Sequence, residues 1–204
     1  IPAPAARKRF GPTAVNAAIH AGLASLVVEE REVLNLPQIP LLPTAAQQKA
    51  LEAVNHTLDA PLVRPRVWLL HGSTGSGKTE VYLQAIAHCL SSGKGAIVLV
   101  PELALTPQAV ERFEARFPGR VGILHSGLTR ARHAEEWWRV HRGERDVVVG
   151  TRSAVFAPMT HLGLIVVDEE HEWTYKQSDA SPRYHARHVA EKLAELTGAG
   201  VLLG

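Results

Sequence analysis

The chain has 204 residues, 46% of them hydrophobic and 21% charged, with a formal net charge of +2. That is the composition of an ordinary globular chain with one good core, and the slight basic excess permits nucleic-acid binding without arguing for it. The single cysteine, Cys89, excludes an internal disulfide or a cysteine zinc cluster and suits a reducing cytosol, and no apolar run approaches the roughly 18 residues of a membrane helix.

The sequence opens at Ile1 with a proline-rich, then basic segment, and stops at Gly204 just after an apolar run. It shows no signal-peptide pattern and reads as a piece of a longer protein. Residues 15–26 have the spacing of a short helix, and 26–28 and 29–34 that of short strands. Pro37, Pro40 and Pro43 then break regular structure, because proline has no N–H to donate. The expected division is therefore a small unit over 1–36, a linker over 37–43 and a main domain over 44–204. A helix is expected over 44–58, with Thr44 able to cap it. Residues 67–70 form an apolar run entering a glycine-rich loop. Val81, Tyr82, Ala85, Ile86, Cys89 and Leu90 then fall on one helical face, and Gly93 ends that helix. Strands follow over 96–100, 121–124, 146–149, 164–167 and 201–203, with helices over 107–117, 130–142 and 187–196. Unbroken Val/Ile/Leu runs mark strands covered on both faces, so the fold class is α/β with a mostly parallel central sheet.

Gly72, Ser73, Thr74, Gly75, Ser76, Gly77, Lys78 and Thr79 match the Walker A pattern in full. Glycines let backbone N–H groups turn inward around phosphate oxygens, and the helix starting near Lys78 points its positive end at the anion. Lys78 is expected at the β and γ phosphates of ATP, and the Thr79 hydroxyl on Mg²⁺. The strand over 164–167 leads into Asp168-Glu169-Glu170-His171. A carboxylate at the carboxyl end of a parallel strand sits beside the phosphate loop in such folds. Asp168 is expected to hold Mg²⁺ and Glu169 to polarise the attacking water, which makes Lys78, Asp168 and Glu169 the catalytic set. An isolated acidic turn would read as a solvated loop; behind a buried strand and a phosphate loop it reads as a site. The Asp-Glu-x-His spelling is that of superfamily-2 motors, and no Leu-Ser-Gly-Gly-Gln signature of a transporter ATPase is present.

Further blocks stand at 72–82 (GSTGSGKTEVY), 100–108 (VPELALTPQ), 124–128 (LHSGL) and 150–153 (GTRS), and Tyr175-Lys176-Gln177 is followed by Arg183-Tyr184-His185-Ala186-Arg187. On these motifs the chain resembles the PriA family of replication-restart superfamily-2 helicases over about residues 44–204. The resemblance implies a RecA-like P-loop lobe, and more weakly that 15–33 is the end of a winged-helix DNA-binding unit. It implies a DNA-dependent ATPase and 3′–5′ helicase at stalled or repaired forks, acting in replication restart and primosome assembly. Forked or single-stranded DNA, primosome proteins and single-strand-binding proteins would be its partners, with no membrane, in a bacterial cytoplasm near the nucleoid. A zinc site is implied only for a part of the family's chain outside this sequence.

Residue roles follow where the motifs match. Gln47 takes the adenine-reading place, although Pro43 stands where leucine is usual; an amide offers the adenine edge one donor and one acceptor. Thr106, Gln108, Gly127, Thr151 and Arg152 lie in motifs that contact the DNA backbone. Residues 172–184 resemble the family's aromatic-rich loop, where Trp173 and Tyr175 would stack on bases and Lys176 and Arg183 would hold phosphates; Tyr184 is as well suited to packing. Such motors complete their site with arginines of a second lobe, so this lobe alone is expected to be inactive.

The 11 histidines suggest no metal site, since His185 and His188 lack a cysteine or carboxylate partner. Arg7-Lys8-Arg9 reads as solvated linker, Trp137 and Trp138 as half core, and Cys89 as inert packing. Two other readings stay open: a fork-binding scaffold with little or no hydrolysis, and a RecG-like or nuclease-associated translocase, against which the signature at 175–187 argues.

Overall fold

A computed structural model of the chain describes residues 10–21, 39–60, 66–73, 75–178 and 181–204. The chain divides into two units, residues 1–34 and 35–204. In the first, α1 is Pro12–His20. The strands expected over 26–34, the basic run at 7–9, Pro37 and Thr74 lie outside the described residues.

The second unit begins its regular structure at α2, Ala45–Asp59. The Thr44 hydroxyl accepts the Gln47 N–H, and the Gln47 side chain accepts the Thr44 N–H, a reciprocal cap that satisfies two otherwise unpaired donors. Then follow β1 Val67–Leu69, α3 Lys78–Ser91, β2 Gly95–Leu99, α4 Pro107–Arg116 and β3 Val121–Leu124. After these come α5 Arg130–His141, β4 Val147–Gly150, β5 Leu162–Val167, α6 Ala186–Thr197 and β6 Gly200–Leu203. The six strands form one sheet in the order β1-β6-β5-β2-β4-β3, and every neighbouring pair is parallel.

Residues of β2, β4, β5 and β6 are buried along their whole length. Helices on both faces explain why these strands spell continuous apolar runs. Ala96 and Val98 point into a core shared with α2, α3 and Phe113 of α4, while Ile97 and Leu99 point into one shared with Val140 of α5 and with α6. In the second unit element limits stand within two residues of the expected ones; in the first, the helix expected over 15–26 lies instead at Pro12–His20. Three short 3₁₀ turns, Glu102–Ala104, Arg152–Phe156 and Trp173–Tyr175, were not expected. Each follows the carboxyl end of a strand, the edge where ligands bind in open parallel sheets.

Gly150 closes β4 under the backbone of β3. A Cβ there would stand 2.0 Å from the Leu124 carbonyl oxygen and 2.6 Å from the Ala154 Cβ. The neighbouring Thr151 N–H donates to that same carbonyl at 3.2 Å, so the two chains cannot part without losing a bond. Gly150→Ala should therefore lower the denaturant midpoint, costing at least about 2 kcal/mol as an overpacked site does. An unchanged midpoint would show that β3 and β4 separate freely at this point.

Candidate active site

β1 runs out through Leu70, whose N–H donates to the Leu203 carbonyl at 2.7 Å, and the chain then enters the phosphate loop. Gly75 and Gly77 adopt φ of +82° and +84°, the left-handed region open to glycine without strain. The Ser76 N–H donates to the Ser73 carbonyl at 3.1 Å, closing the loop on itself. Gly77 is the N-cap of α3 and offers no side chain to the helix, so the first N–H groups of α3 are left for a ligand. Lys78 Nζ donates to the Gly72 carbonyl at 3.1 Å and lies 3.7 Å from Glu169 Oε1. Lys78, Thr79, Asp168 and Glu169 meet at one cleft of about 530 Å³, together with Ser73, Gly75, Gly77, Glu80 and Arg112. Leu41 and Leu83 complete its wall. That volume is in the range of small-molecule sites.

Asp168 follows directly on β5. Its N–H donates to the Leu99 carbonyl at 2.9 Å, and its Oδ1 accepts the Tyr82 hydroxyl at 3.0 Å. The Tyr175 hydroxyl donates to the Asp168 main-chain carbonyl at 2.6 Å, with the Leu99 carbonyl also within 3.0 Å. Burial pushes the Asp168 carboxyl above the usual carboxylate range; the Tyr82 hydrogen bond opposes this, Glu169 adds to it and Lys78 opposes it. Burial, reinforced by Asp168, also raises Tyr82 and Tyr175, so both hydroxyls stay protonated donors. Among the described residues no group of three or more His, Cys, Asp or Glu could hold a metal alone. Mg²⁺ needs no such group, because one or two protein oxygens suffice when phosphates and water supply the rest. Thr79 and Asp168 on one cleft wall fit that requirement, and a half-buried carboxylate is the partner a cation favours.

Glu169 has φ +46° and is alone among described non-glycine residues in the left-handed region. Such a conformation costs about 1–3 kcal/mol and persists only when neighbours over-determine it. Here the Glu172 N–H donates to the Glu169 carbonyl at 2.9 Å, and the Glu170 N–H to the Gly204 carbonyl at 2.8 Å. Arg187 Nη1 pairs with Glu170 Oε2 at 2.7 Å and fixes the turn to α6. Gly204 closes the same corner: its N–H donates to the Val167 carbonyl at 2.9 Å, and a Cβ on it would stand 1.8 Å from the Tyr82 hydroxyl.

The model of the DEAD/DEAH box helicase family matches residues 44–198. The chain belongs to the DEAD/DEAH box helicase family. It is similar to the replication restart protein PriA of Bacillus subtilis, 53% identical over 165 residues, 81% of this chain and 20% of that one. The Synechocystis protein of the same name is 44% identical over 186 residues, 88% of this chain and 22% of that one. The resemblance to PriA expected from the motifs is borne out, and this helicase-family chain spans about a fifth of the length of those relatives. RecG bound to a three-way DNA junction superposes with a TM-score of 0.59 at 22% identity, covering 81% of this chain and 21% of RecG. The Pyrococcus furiosus Hef helicase domain gives a TM-score of 0.55 at 20% identity, covering 79% of this chain and 32% of that one. Both carry the α/β fold expected here.

In a helicase-family lobe the remaining expected residues divide sharply. Trp173 is 78% exposed, and Lys176 and Arg183 are exposed as well. Gln108 is exposed at the start of α4, which Thr106 caps by accepting the Ala109 N–H at 3.2 Å. Gly127 is exposed, with its N–H on His125 Nδ1 at 3.1 Å. Tyr175, expected as an exposed stacking ring, is instead 1% exposed: its ring belongs to the core over α6 and its hydroxyl is spent on the two strand-end carbonyls. Thr151, expected at a DNA phosphate, is 4% exposed beneath the 3₁₀ turn of Arg152–Phe156. Arg152 donates to the Thr174 and Lys176 carbonyls at 3.2 and 2.9 Å, so it ties down the aromatic loop. Tyr184 packs edge-on against Phe156 with ring centres 5.1 Å apart. Gln47 gives its amide N–H groups to the Ser76 and Gly77 carbonyls at 3.1 and 3.4 Å while its oxygen serves Thr44, so both ends of the expected adenine reader are engaged. Sequence reasoning missed the roles of Tyr82 and Arg187. A tyrosine on an otherwise aliphatic helix face was the available signal, since a buried hydroxyl needs a partner.

Tyr175→Phe keeps the ring and removes the clamp on Asp168. It should cost about 1–3 kcal/mol in denaturant unfolding, the price of leaving the Asp168 carbonyl unpaired, while that of Leu99 keeps the Asp168 N–H. Trp173→Ala, on the same turn, should stay within about 0.5 kcal/mol of wild type. Equal losses for the two would contradict this inside-outside assignment.

Proposed function

We propose that this chain is the ATP-binding motor lobe of a DNA-dependent ATPase and 3′–5′ helicase that acts at stalled or repaired replication forks, in replication restart and primosome assembly. The observation that carries the reading is the convergence of Lys78, Thr79, Asp168 and Glu169 on one cleft, at the carboxyl edge of a parallel sheet. The name shared by the relatives supports the setting in replication restart.

In this reading the N–H groups at the start of α3 and the Lys78 ammonium hold the β and γ phosphates. Thr79 and Asp168 would hold Mg²⁺, which when bound would neutralise charge on the phosphates. Glu169 orients the attacking water and accepts its proton. Its strained backbone favours a turnover role over a fork-binding scaffold, which would leave the strained carboxylate without a use. Arginines from a second lobe complete the site, and a finger of that kind contributes about 10³–10⁵ in rate, so the 204 residues alone should hydrolyse ATP barely at all. Trp173, Lys176, Arg183, Thr106, Gln108 and Gly127 form the surface offered to single-stranded or forked DNA, with Thr151 and Arg152 supporting it from below. Primosome and single-strand-binding proteins are the further partners, in a bacterial cytoplasm near the nucleoid. No helix among the described residues is long and apolar enough to cross a membrane.

Lys78→Ala removes a charge-assisted contact worth about 1.5–3 kcal/mol, so ATP affinity in the intact protein should fall roughly tenfold or more with an unchanged melting curve. Retained affinity would sink the phosphate-loop assignment. A base stacked on Trp173 would pull on the same turn whose Tyr175 holds the Asp168 carbonyl, and stacking is worth about 1–3 kcal/mol per base. Trp173→Ala should thus leave ATP affinity intact and lower the ATPase rate at saturating DNA well below wild type. Equal rates would reduce Trp173 to a bystander; absence of DNA-stimulated hydrolysis in the wild-type intact protein would favour the scaffold.

A further inference from the structure

A groove of about 860 Å³ runs along α6 and shares no lining residue with the nucleotide cleft. The helix buries Ala186, Ala190 and Ala194. Beside them Val189, Leu193 and Leu196 make a second apolar stripe at i, i+4 and i+7, an advance of about 10 Å along the helix. Val189 and Leu193 are half-buried, and Leu196 is 75% exposed. The 3₁₀ turn Arg152–Phe156 adds Phe156, itself 54% exposed, and the segment before α6 adds Tyr184. A surface helix ordinarily hides its apolar stripe, and here part of that stripe stays open.

The walls are built without a partner. The Gln177 N–H donates to the Tyr184 carbonyl at 2.7 Å, Lys176 and His185 form an antiparallel bridge, and Tyr184 packs on Phe156. The charge along the groove is of one sign. Lys176, Arg183 and Lys192 line it with His185 and His188, and no carboxylate among the described residues does. The His185 ring is held below the usual histidine range, first by burial and then by His188, Arg187 and Lys176, with Glu170 opposing. Lys192 Nζ meets Glu195 at 2.5 Å, but that pair is exposed and therefore weak, so a partner's carboxylate can replace it.

We propose that the groove docks an acidic amphipathic helix of a partner protein. The partner's apolar stripe lies on Val189, Leu193 and Leu196, and its carboxylates stand over the cations of the rim. A small molecule is a poor occupant, because walls as exposed as Phe156 and Leu196 cannot bury most of its surface. Single-stranded DNA would meet the same cations, but bases need open ring faces. Here the stripe on α6 is aliphatic, and the two rings, Phe156 and Tyr184, are turned against each other. Lys176 and Arg183 belong also to the surface proposed for DNA, so the test of charge rests on Lys192 and the test of apolar contact on Leu196.

The test is fluorescence anisotropy on the intact protein. The probe is a labelled, cross-linked helical peptide of about 15 residues, with leucine along one stripe and glutamate elsewhere. Its controls are a scramble of the same composition, a version with lysine for glutamate, and labelled oligothymidylate. The acidic helix should bind with a Kd on the order of micromolar, and both control peptides at least about tenfold more weakly. Leu196→Ala and Lys192→Glu should each weaken the acidic helix about tenfold. Both substitutions fall at exposed helix positions and introduce good helix formers, so the melting curve should not move. Leu196→Ala should leave oligothymidylate affinity within about twofold of wild type, since phosphate contacts dominate such binding. Absence of saturable binding by the acidic helix would overturn the proposal, as it would if another part of the intact chain covered the groove. Equal binding of the scramble, or an acidic helix indifferent to Leu196→Ala, would overturn it too. Loss of oligothymidylate in Leu196→Ala without loss of the peptide would make the groove a nucleic-acid site instead.

Discussion

A single buried hydroxyl holds the chemistry of this lobe in place. Tyr175 reaches back from the turn after β5 and bonds the carbonyl of Asp168, beside that of Leu99. Parallel strands end with carbonyls that the next element must satisfy, and here an aromatic residue from the loop does so from inside the core. Because the ring is packed and the hydroxyl paired, the loop from Asp168 to Tyr175 is closed at both ends. Within that closed loop Glu169 can be kept at a backbone angle it would not choose, with its carboxylate turned toward Lys78. Arg152 and Arg187 brace the loop from two other elements, so the acid pair is carried by β5, α6 and the turn after β4 together.

The charges of the cleft are balanced against each other. Lys78 rests between the Gly72 carbonyl and the Glu169 carboxylate, both weaker partners than a polyphosphate. Asp168 is resisted by burial and supported by the Tyr82 hydroxyl. Each group is thus held in a position from which a more strongly charged ligand would draw it, and neither needs a large rearrangement to respond.

Much of this was legible before any coordinates. The strand over 121–124 was bounded to the residue, since its apolar run begins after a Pro-Gly-Arg turn and ends at a histidine. The phosphate loop was legible because its spacing is its chemistry: the glycines, the lysine and the threonine have no freedom to stand elsewhere. Tyr175 was not, because residues 172–184 are mostly polar and local composition says nothing about a 3₁₀ turn folding one ring inward and leaving its neighbour Trp173 outside. Gln47 was half legible. Thr44 reads as a cap from its place before the helix, and the glutamine three residues on supplies the reciprocal half of that cap as well as the amide of the family motif. Arg152 and Thr151 show the same effect, in that a motif gives a residue's address and not which way its side chain faces.

The corner where Gly204 meets Tyr82 bears on how this sequence can drift over generations. No side chain fits at position 204 while the Tyr82 hydroxyl stands where it does, and that hydroxyl stands there to serve Asp168. The two positions are far apart in the chain and chemically unlike, yet they form one heritable unit. A lineage that gains a methyl group at 204 must displace or lose the phenol at 82, and with it one of the hydrogen bonds on the site's aspartate. Change at either position is therefore gated by the other, and the glycine beyond β6 is protected by an oxygen atom that belongs to α3.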